Sequence, residues 1–251
     1  MTAGVALVTG ANKGIGRAVA RRLGLLGMTV YLGARDDGRG KAAEDDLRAE
    51  GLDARFLSLD VTDEHSVALA ARSVADEAGR LDALVNNAGT GAPVRLPSAT
   101  PLEEVRRTYE TNVFGVITVT NAFLPLLRRS PAGRVVNISS LLGSITHAAR
   151  RDDPSGVFPP GVFPAVLDYN TSKAALNAIT VTYANELRGT GILVNACSPG
   201  FVATDINDHQ GDLTPDEGAR IPVLLATLGE DGPTAAFLGE DGTADGQVLA
   251  W

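Results

Sequence analysis

The sequence predicts an α/β protein built on a doubly wound, mostly parallel sheet with helices on both faces. Three observations lead there. Six near-continuous apolar runs, at 4–9, 28–34, 54–61, 81–88, 133–140 and 192–198, read as strands buried on both faces. Segments of helix length, rich in Ala, Leu, Arg and Glu, separate them, and such strict alternation implies parallel strands joined by crossover helices. Neither an internal repeat nor a dividing linker interrupts the 251 residues, so 1–251 reads as a single domain.

Composition narrows the partners. A 44% hydrophobic and 21% charged chain of this length can bury a sizeable core. Its net charge of −8 argues against nucleic acid or an anionic membrane as the main partner. The one cysteine, Cys197, excludes an internal disulfide and suits a reducing compartment. No basic, then apolar leader opens the sequence, and the most apolar stretch, 112–127, is too short and interrupted to span a bilayer. A cytoplasmic protein is expected. His65, His147 and His209 are scattered without metal-ligand spacing and read as surface residues, so no metal is expected.

The first βα turn, "VTGANKGIGRAV" (8–19), sets Gly10, Gly14 and Gly16 between the first strand and the first helix. Glycines let backbone turn sharply and approach a pyrophosphate, to which the helix N-terminus offers free N–H groups and its dipole. This makes a Rossmann-type dinucleotide site, although a purely structural glycine turn competes with it, because the spacing is Gly-x-x-x-Gly-x-Gly. The second strand ends in "YLGARDD" (31–37). A carboxylate here binds the ribose diol of NAD, whereas a cation binds the 2′-phosphate of NADP. Asp36 favours NAD. Arg35 comes first, however, Ala34 leaves the strand tip uncharged, and Lys13 adds a cation from the turn, so NADP is favoured over a merely solvated Arg35. Two later helices open with capping signals, Thr100-Pro101-Leu102-Glu103 and Thr214-Pro215-Asp216-Glu217.

Tyr169 and Lys173 stand four apart and share a helix face. An ammonium beside a phenol favours phenolate and brings the tyrosine toward neutrality as a proton donor or acceptor. Taken alone, such a pair is more often a surface or half-buried contact. The preceding segment, 144–168, shows no steady helical or strand period; Pro154, Pro159, Pro160 and Pro164 restrict it, and Phe158 and Phe163 are apolar anchors. Arg150-Arg151-Asp152-Asp153 within it reads as a solvated, mutually paired turn.

"TGANKGIG", "NNAG" (86–89), Asn112, "NISS" (137–140), "YNTSK" (169–173) and "SPGFVATD" (198–205) follow the order typical of the family that this chain resembles, the classical short-chain dehydrogenases/reductases. The resemblance covers essentially the whole chain. It implies a seven-stranded sheet and hydride transfer between a nicotinamide and a carbonyl or alcohol carbon. Position by position, it implies Tyr169 as the proton donor in reduction and Lys173 as the residue that lowers its pKa and holds the nicotinamide ribose. Ser140, in preference to Ser139, would bond the substrate oxygen, and Asn112 would hold a water of the proton relay. An asparagine satisfied by a neighbouring carbonyl is the plainer reading of Asn112. Around the cofactor the resemblance implies Gly10, Asn12, Lys13, Gly14, Ile15, Gly16 and Arg35. It adds Asp60 and Val61 by the adenine, then Asn86, Ala88 and Gly89 by the ribose. Pro199 and Gly200 would place Val202 at the carboxamide and Thr204 on a phosphate. Cys197 reads as a core residue.

Ser140 and Tyr169 stand much further apart than in typical members, which marks 143–167 as an insertion beside the active site. With "GARD" (33–36) and the terminus "DGQVLAW" (245–251), this resembles the carbonyl-reductase branch. That branch implies NADP(H), a small-molecule carbonyl substrate and a monomer, with a homodimer also open. Lining of the pocket and mere surface coverage both remain open for the insertion, and 203–220 would be the substrate loop. The expected activity is NADPH-dependent reduction of an aldehyde or ketone. An NAD-dependent alcohol dehydrogenase and a catalytically silent nicotinamide-binding regulator or redox sensor are the alternatives; the complete Asn112, Ser140, Tyr169 and Lys173 set argues against the last.

Overall fold

The computed structural model describes residues 4–91, 93–154, 156, 161–243 and 245–251. Phe158, Pro159 and Pro160, singled out in the insertion, lie outside the described residues. The strands are β1 (Val5–Thr9), β2 (Thr29–Ala34), β3 (Ala54–Ser58), β4 (Ala83–Asn86), β5 (Arg134–Ile138), β6 (Leu193–Ser198), β7 (Phe237–Gly239) and β8 (Gln247–Val248). They form one sheet in the order β3-β2-β1-β4-β5-β6-β7-β8. All neighbours run parallel except β7 and β8, which pair antiparallel. The sheet therefore has eight strands where the resemblance implied seven. The added β8 is two residues long and turns back on β7 beyond the regular alternation.

The helices are α1 (Gly14–Leu25), α2 (Asp37–Ala49), α3 (Glu64–Ala78), α4 (Leu102–Tyr109), α5 (Gly115–Leu127), α6 (Ile145–Arg150), α7 (Leu167–Glu186), α8 (Pro215–Gly218) and α9 (Arg220–Ala226). On α1 the buried residues Gly16, Val19, Ala20, Leu23 and Gly24 recur at helical spacing and face the sheet. Two apolar clusters cover the two faces. Leu7, Leu84, Val119 and Phe123 belong to one, and Ala6, Val8, Val30, Leu32 and Ile221 to the other. Because β1 lies between β2 and β4, the strand order reverses there, and crevices open at the C-terminal ends of such strands.

Local signals decided several boundaries. Thr214 caps α8 in a reciprocal capping box with Glu217, as its pattern indicates. Thr100 does not cap α4; its hydroxyl donates to Leu96 O instead, closing the short turn at Pro97–Ala99, and α4 starts at Leu102 behind Pro101. Between α4 and α5 the chain makes one π turn, Glu110–Phe114, that keeps a continuous helical rod and contains Asn112.

The segment before Tyr169 also holds a helix that its irregular pattern did not show. Ser144 accepts from His147 N and caps α6, while Arg151 ends it in the left-handed region at φ 55°. Six residues are too few to display a period. His147 is buried rather than on the surface, and its Nδ1 lies 2.7 Å from Asp152 Oδ1. Asp152 is thus bonded back to α6. Ser144 Oγ donates to Ala250 O and Thr146 N to Trp251 O, so α6 is tied to the end of the chain.

Candidate active site

A cavity of about 680 Å³ opens at the switch point, above the ends of β1, β2, β4 and β5. The glycine turn forms one wall. Gly10 and Gly14 have φ of 64° and 55°, in the region that favours glycine. A Cβ at Gly10 would lie 3.0 Å from Ala88 Cα, and one at Gly16 only 2.4 Å from Asn87 Nδ2. The first turn of α1 carries no acidic residue, and its N-cap, Lys13, makes no side-chain cap bond. The N–H groups there are thus left for an anion, a fit to the pyrophosphate of a dinucleotide.

Asn12, Lys13, Ile15, Arg35, Asp60, Val61, Ala88, Gly89, Pro199 and Thr204 line this cavity with the three glycines, as the sequence led us to expect. Asp36 does not. Its side chain accepts from Arg39 N and caps α2, so the carboxylate that favoured NAD serves the helix. Arg35 projects at the cavity and, among the described residues, has no ion-pair or hydrogen-bond partner. Lys13 is ion-paired with Asp205 of the loop after β6, and Asp205 in turn lies 3.1 Å from His209 Nε2.

Tyr169 and Lys173 close the other end of the cavity from the first turns of α7. Lys173 is buried, its Nζ donates to Ile138 O at 2.7 Å, and burial lowers its ammonium to about 8. Tyr169 departs from expectation: its phenol is raised to about 12. Protein packed around the ring disfavours the phenolate more than the hydrogen bond with Ser140 favours it. The Lys173 ammonium lies 5.5 Å from the ring centroid and is directed at the Ile138 carbonyl. Loop 89–91 passes beside both groups and leaves little room for side chains at its glycines. Added Cβ atoms at Gly89 and Gly91 would lie 3.7 Å from Lys173 Nζ and 3.2 Å from Tyr169 Cδ2.

Four expected residues stand apart from this cavity, and Ser140 only borders it. Asn86 is buried, donating from Nδ2 to Thr120 Oγ1 and Asn137 Oδ1 in a polar ladder between β4 and β5. Its neighbour Asn87 is at the cavity instead and donates to Thr9 O at 2.8 Å, tying β4 to the glycine turn. Val202 is buried in a bridge to Leu213, and Gly200 faces Leu213 and Glu240. Asn112 forms hydrogen bonds with both backbone groups of Thr90 and with Ser172 Oγ, which use both of its amide N–H groups. Ser140 lines a second, smaller pocket, although its hydroxyl reaches Tyr169, while Ser139 lines the main cavity and is bonded to Asn177.

Sequence reasoning missed Asn87, Arg107 and Thr111 on the cavity wall, whereas Asp205 and Ile206 belong to the loop 203–220 that it had placed at the substrate. Of the three, Asn87 stands inside a quoted motif. Cys197 is buried in the core, where its surroundings push the thiol up. Among the described residues, no group of three or more His, Cys, Asp or Glu could hold a metal ion. No helix among them is long and apolar enough to cross a membrane.

Comparisons with known proteins agree with this geometry. The family model described as short chain dehydrogenase matches residues 4–150 and 161–213, passing over 151–160 within the insertion. The NADPH carbonyl reductase 1 of Homo sapiens is 37% identical over 270 residues, covering 94% of this chain and 96% of its own. The NADPH carbonyl reductase 3 of Mus musculus is 38% identical over 258 residues, covering 90% and 92%. Among solved structures, the NADPH-bound carbonyl reductase from chicken fatty liver superposes with a TM-score of 0.83 at 30% identity, covering all of both chains. With the match running through the glycine turn, the serine strand and the tyrosine helix alike, the chain belongs to the short-chain dehydrogenase family.

Proposed function

We propose that this protein reduces an aldehyde or ketone to the alcohol with NADPH. One observation carries the reading. A single cavity has Tyr169 and Lys173 at one end and, at the other, the glycine turn with Arg35, which is unpartnered among the described residues. The carbonyl reductases named above support the same cofactor and substrate class.

Arg35 binds the 2′-phosphate and the N-terminal N–H groups of α1 bind the pyrophosphate. Lys173 holds the nicotinamide ribose. NADPH, when bound, supplies the hydride. The substrate oxygen lies between Tyr169 Oη and Ser140 Oγ, so charge developing on it is stabilised where it forms. A phenol raised to about 12 is protonated across physiological pH, the form a proton donor in reduction requires. Asn112 supports the relay to Lys173 through its backbone, its side chain being committed to Thr90 and Ser172. Asp36, as a helix cap, does not serve an NAD-dependent alternative.

The protein acts as a cytoplasmic monomer, with 203–220 bordering the substrate. The test is a carbonyl panel with NADPH and NADH, following cofactor oxidation. Turnover of aldehydes or ketones with NADPH preferred is expected; NADH preference, or cofactor binding without turnover, would reject the reading. Sedimentation tests the monomer.

A further inference from the structure

Tyr169 stands in the first turn of α7, where a helix holds itself least firmly. The first N–H groups of a helix have no partner within it, and the N-cap of α7, Val166, makes no side-chain cap bond. The residues leading in, 161–166, form neither helix nor strand. Support for the phenol therefore has to come from elsewhere, and it arrives one residue before it. Thr108, in the last turn of α4, donates from Oγ1 to Asp168 Oδ2 at 2.7 Å, and both residues are 1% exposed. Neither lines the cavity. We propose that Thr108 and Asp168 are a positioning pair, which sets the Tyr169 phenol in place for proton transfer to the substrate oxygen. This inference rests on the reductase reading above.

The chemistry of the pair suits that role. Aspartate is almost never fully buried unless it is paired, because a carboxylate removed from water has to be met by protein donors. A hydroxyl that meets it at 2.7 Å makes a short, charge-assisted bond with narrow geometry. The two residues are 60 positions apart, so the bond fixes the start of α7 to another helix and not to the chain that leads into it. Within the first turn of α7 the carboxylate also faces the favourable end of the helix dipole.

A second rung lies four residues further along both chains. Asn112 Nδ2 donates to Ser172 Oγ at 3.0 Å, and Ser172 Oγ donates in turn to Tyr169 O at 2.8 Å. Tyr169 is thus bracketed: Thr108 holds the residue before it, and Asn112, through Ser172, holds its own carbonyl. Its ring meets Gly91, where an added Cβ would lie 3.2 Å from Cδ2. Asn112 also bonds both backbone groups of Thr90, so changing it would disturb loop 89–91 as well. Among the described residues the Thr108 hydroxyl bonds only Asp168, so its removal reads out this rung alone.

The experiment compares Thr108→Val, which keeps the shape and removes the hydroxyl, with Thr108→Ser, which keeps the hydroxyl. Thr108→Val should lower kcat for a ketone about tenfold, because small displacements of a reacting group cost that much. Ketone KM and the NADPH dissociation constant, read by fluorescence, should stay within about twofold, as for a loss confined to the transition state. Thr108→Ser should retain at least about half of the wild-type kcat, since its bond to Asp168 remains. The decisive readout is the Tyr169→Phe background. No phenol is left to place there, so Thr108→Val should cost less than about twofold, a coupling that a general loss of structure would not show. Asp168→Asn keeps an acceptor but loses the charge assistance; it should cost about threefold in kcat and vanish in the same background, which serves if Thr108→Val does not fold. Equal losses with and without the phenol, equal losses in the valine and serine variants, or a wild-type kcat in Thr108→Val would overturn the positioning role alone. Failure of wild type to reduce any aldehyde or ketone with NADPH would overturn the reductase reading and this inference together.

Discussion

Lys13 in the first βα turn is ion-paired with Asp205, 192 positions later in the loop after β6. Both residues line the main cavity, so the pair joins two lips of the groove. The Lys13 ammonium holds the Asp205 carboxyl below its ordinary range. A cation expected to serve an incoming phosphate is thus matched to a carboxylate, and an anionic cofactor must share it.

Asp205→Asn should therefore tighten NADPH binding by about two- to fivefold at low salt, the scale of one exposed ion pair. The gain should shrink as ionic strength rises. Fluorescence titration at two salt concentrations measures this, and an unchanged or weaker affinity would show that Asp205 does not compete for Lys13.

Arg35→Asp should weaken NADPH about 100-fold, since a charge-assisted bond is lost and repulsion added, while NADH changes by no more than about threefold. Comparison of the two dissociation constants decides the matter. Equal losses would mean that Arg35 does not reach the 2′-phosphate.

Tyr169→Phe removes the proton donor but keeps the ring against loop 89–91. Reduction should fall about a thousandfold with NADPH binding retained, as expected for loss of a general acid. Turnover near that of wild type would remove Tyr169 from the mechanism.

Lys173 makes a stability prediction with a definite sign. Its folded pKa of about 8 lies below the ordinary 10.5, so the cost of burying the ammonium is fully present below about pH 8. Between about 8 and 10.5 the unfolded chain binds more protons at this site, and the contribution of Lys173 to stability rises with pH. Melting temperatures of wild type and Lys173→Met, followed from pH 7 to 10, should show wild type gaining on the variant above pH 8. A constant difference would refute the lowered pKa.

What was legible in the sequence is what local pattern encodes. Apolar runs alternating with helix-length segments specify parallel strands and crossover helices, because burial on both faces demands that composition. Gly10, Gly14 and Gly16 marked the anion turn by their freedom of backbone, and the four-residue spacing of Tyr169 and Lys173 placed them on one face of α7 before any contact was known. The tertiary structure decided which groups those positions meet. It turned Asn86 into the sheet and Asn87 onto the glycine turn, assigned Asp36 to the α2 cap, and paired Lys13 with Asp205. It also reversed the sign expected for Tyr169 and built the small pocket from β5, β6 and the β7–β8 hairpin. The reason is physical: periodicity is a property of neighbours along the chain, whereas desolvation, ion pairing and pocket volume depend on residues brought together from distant positions.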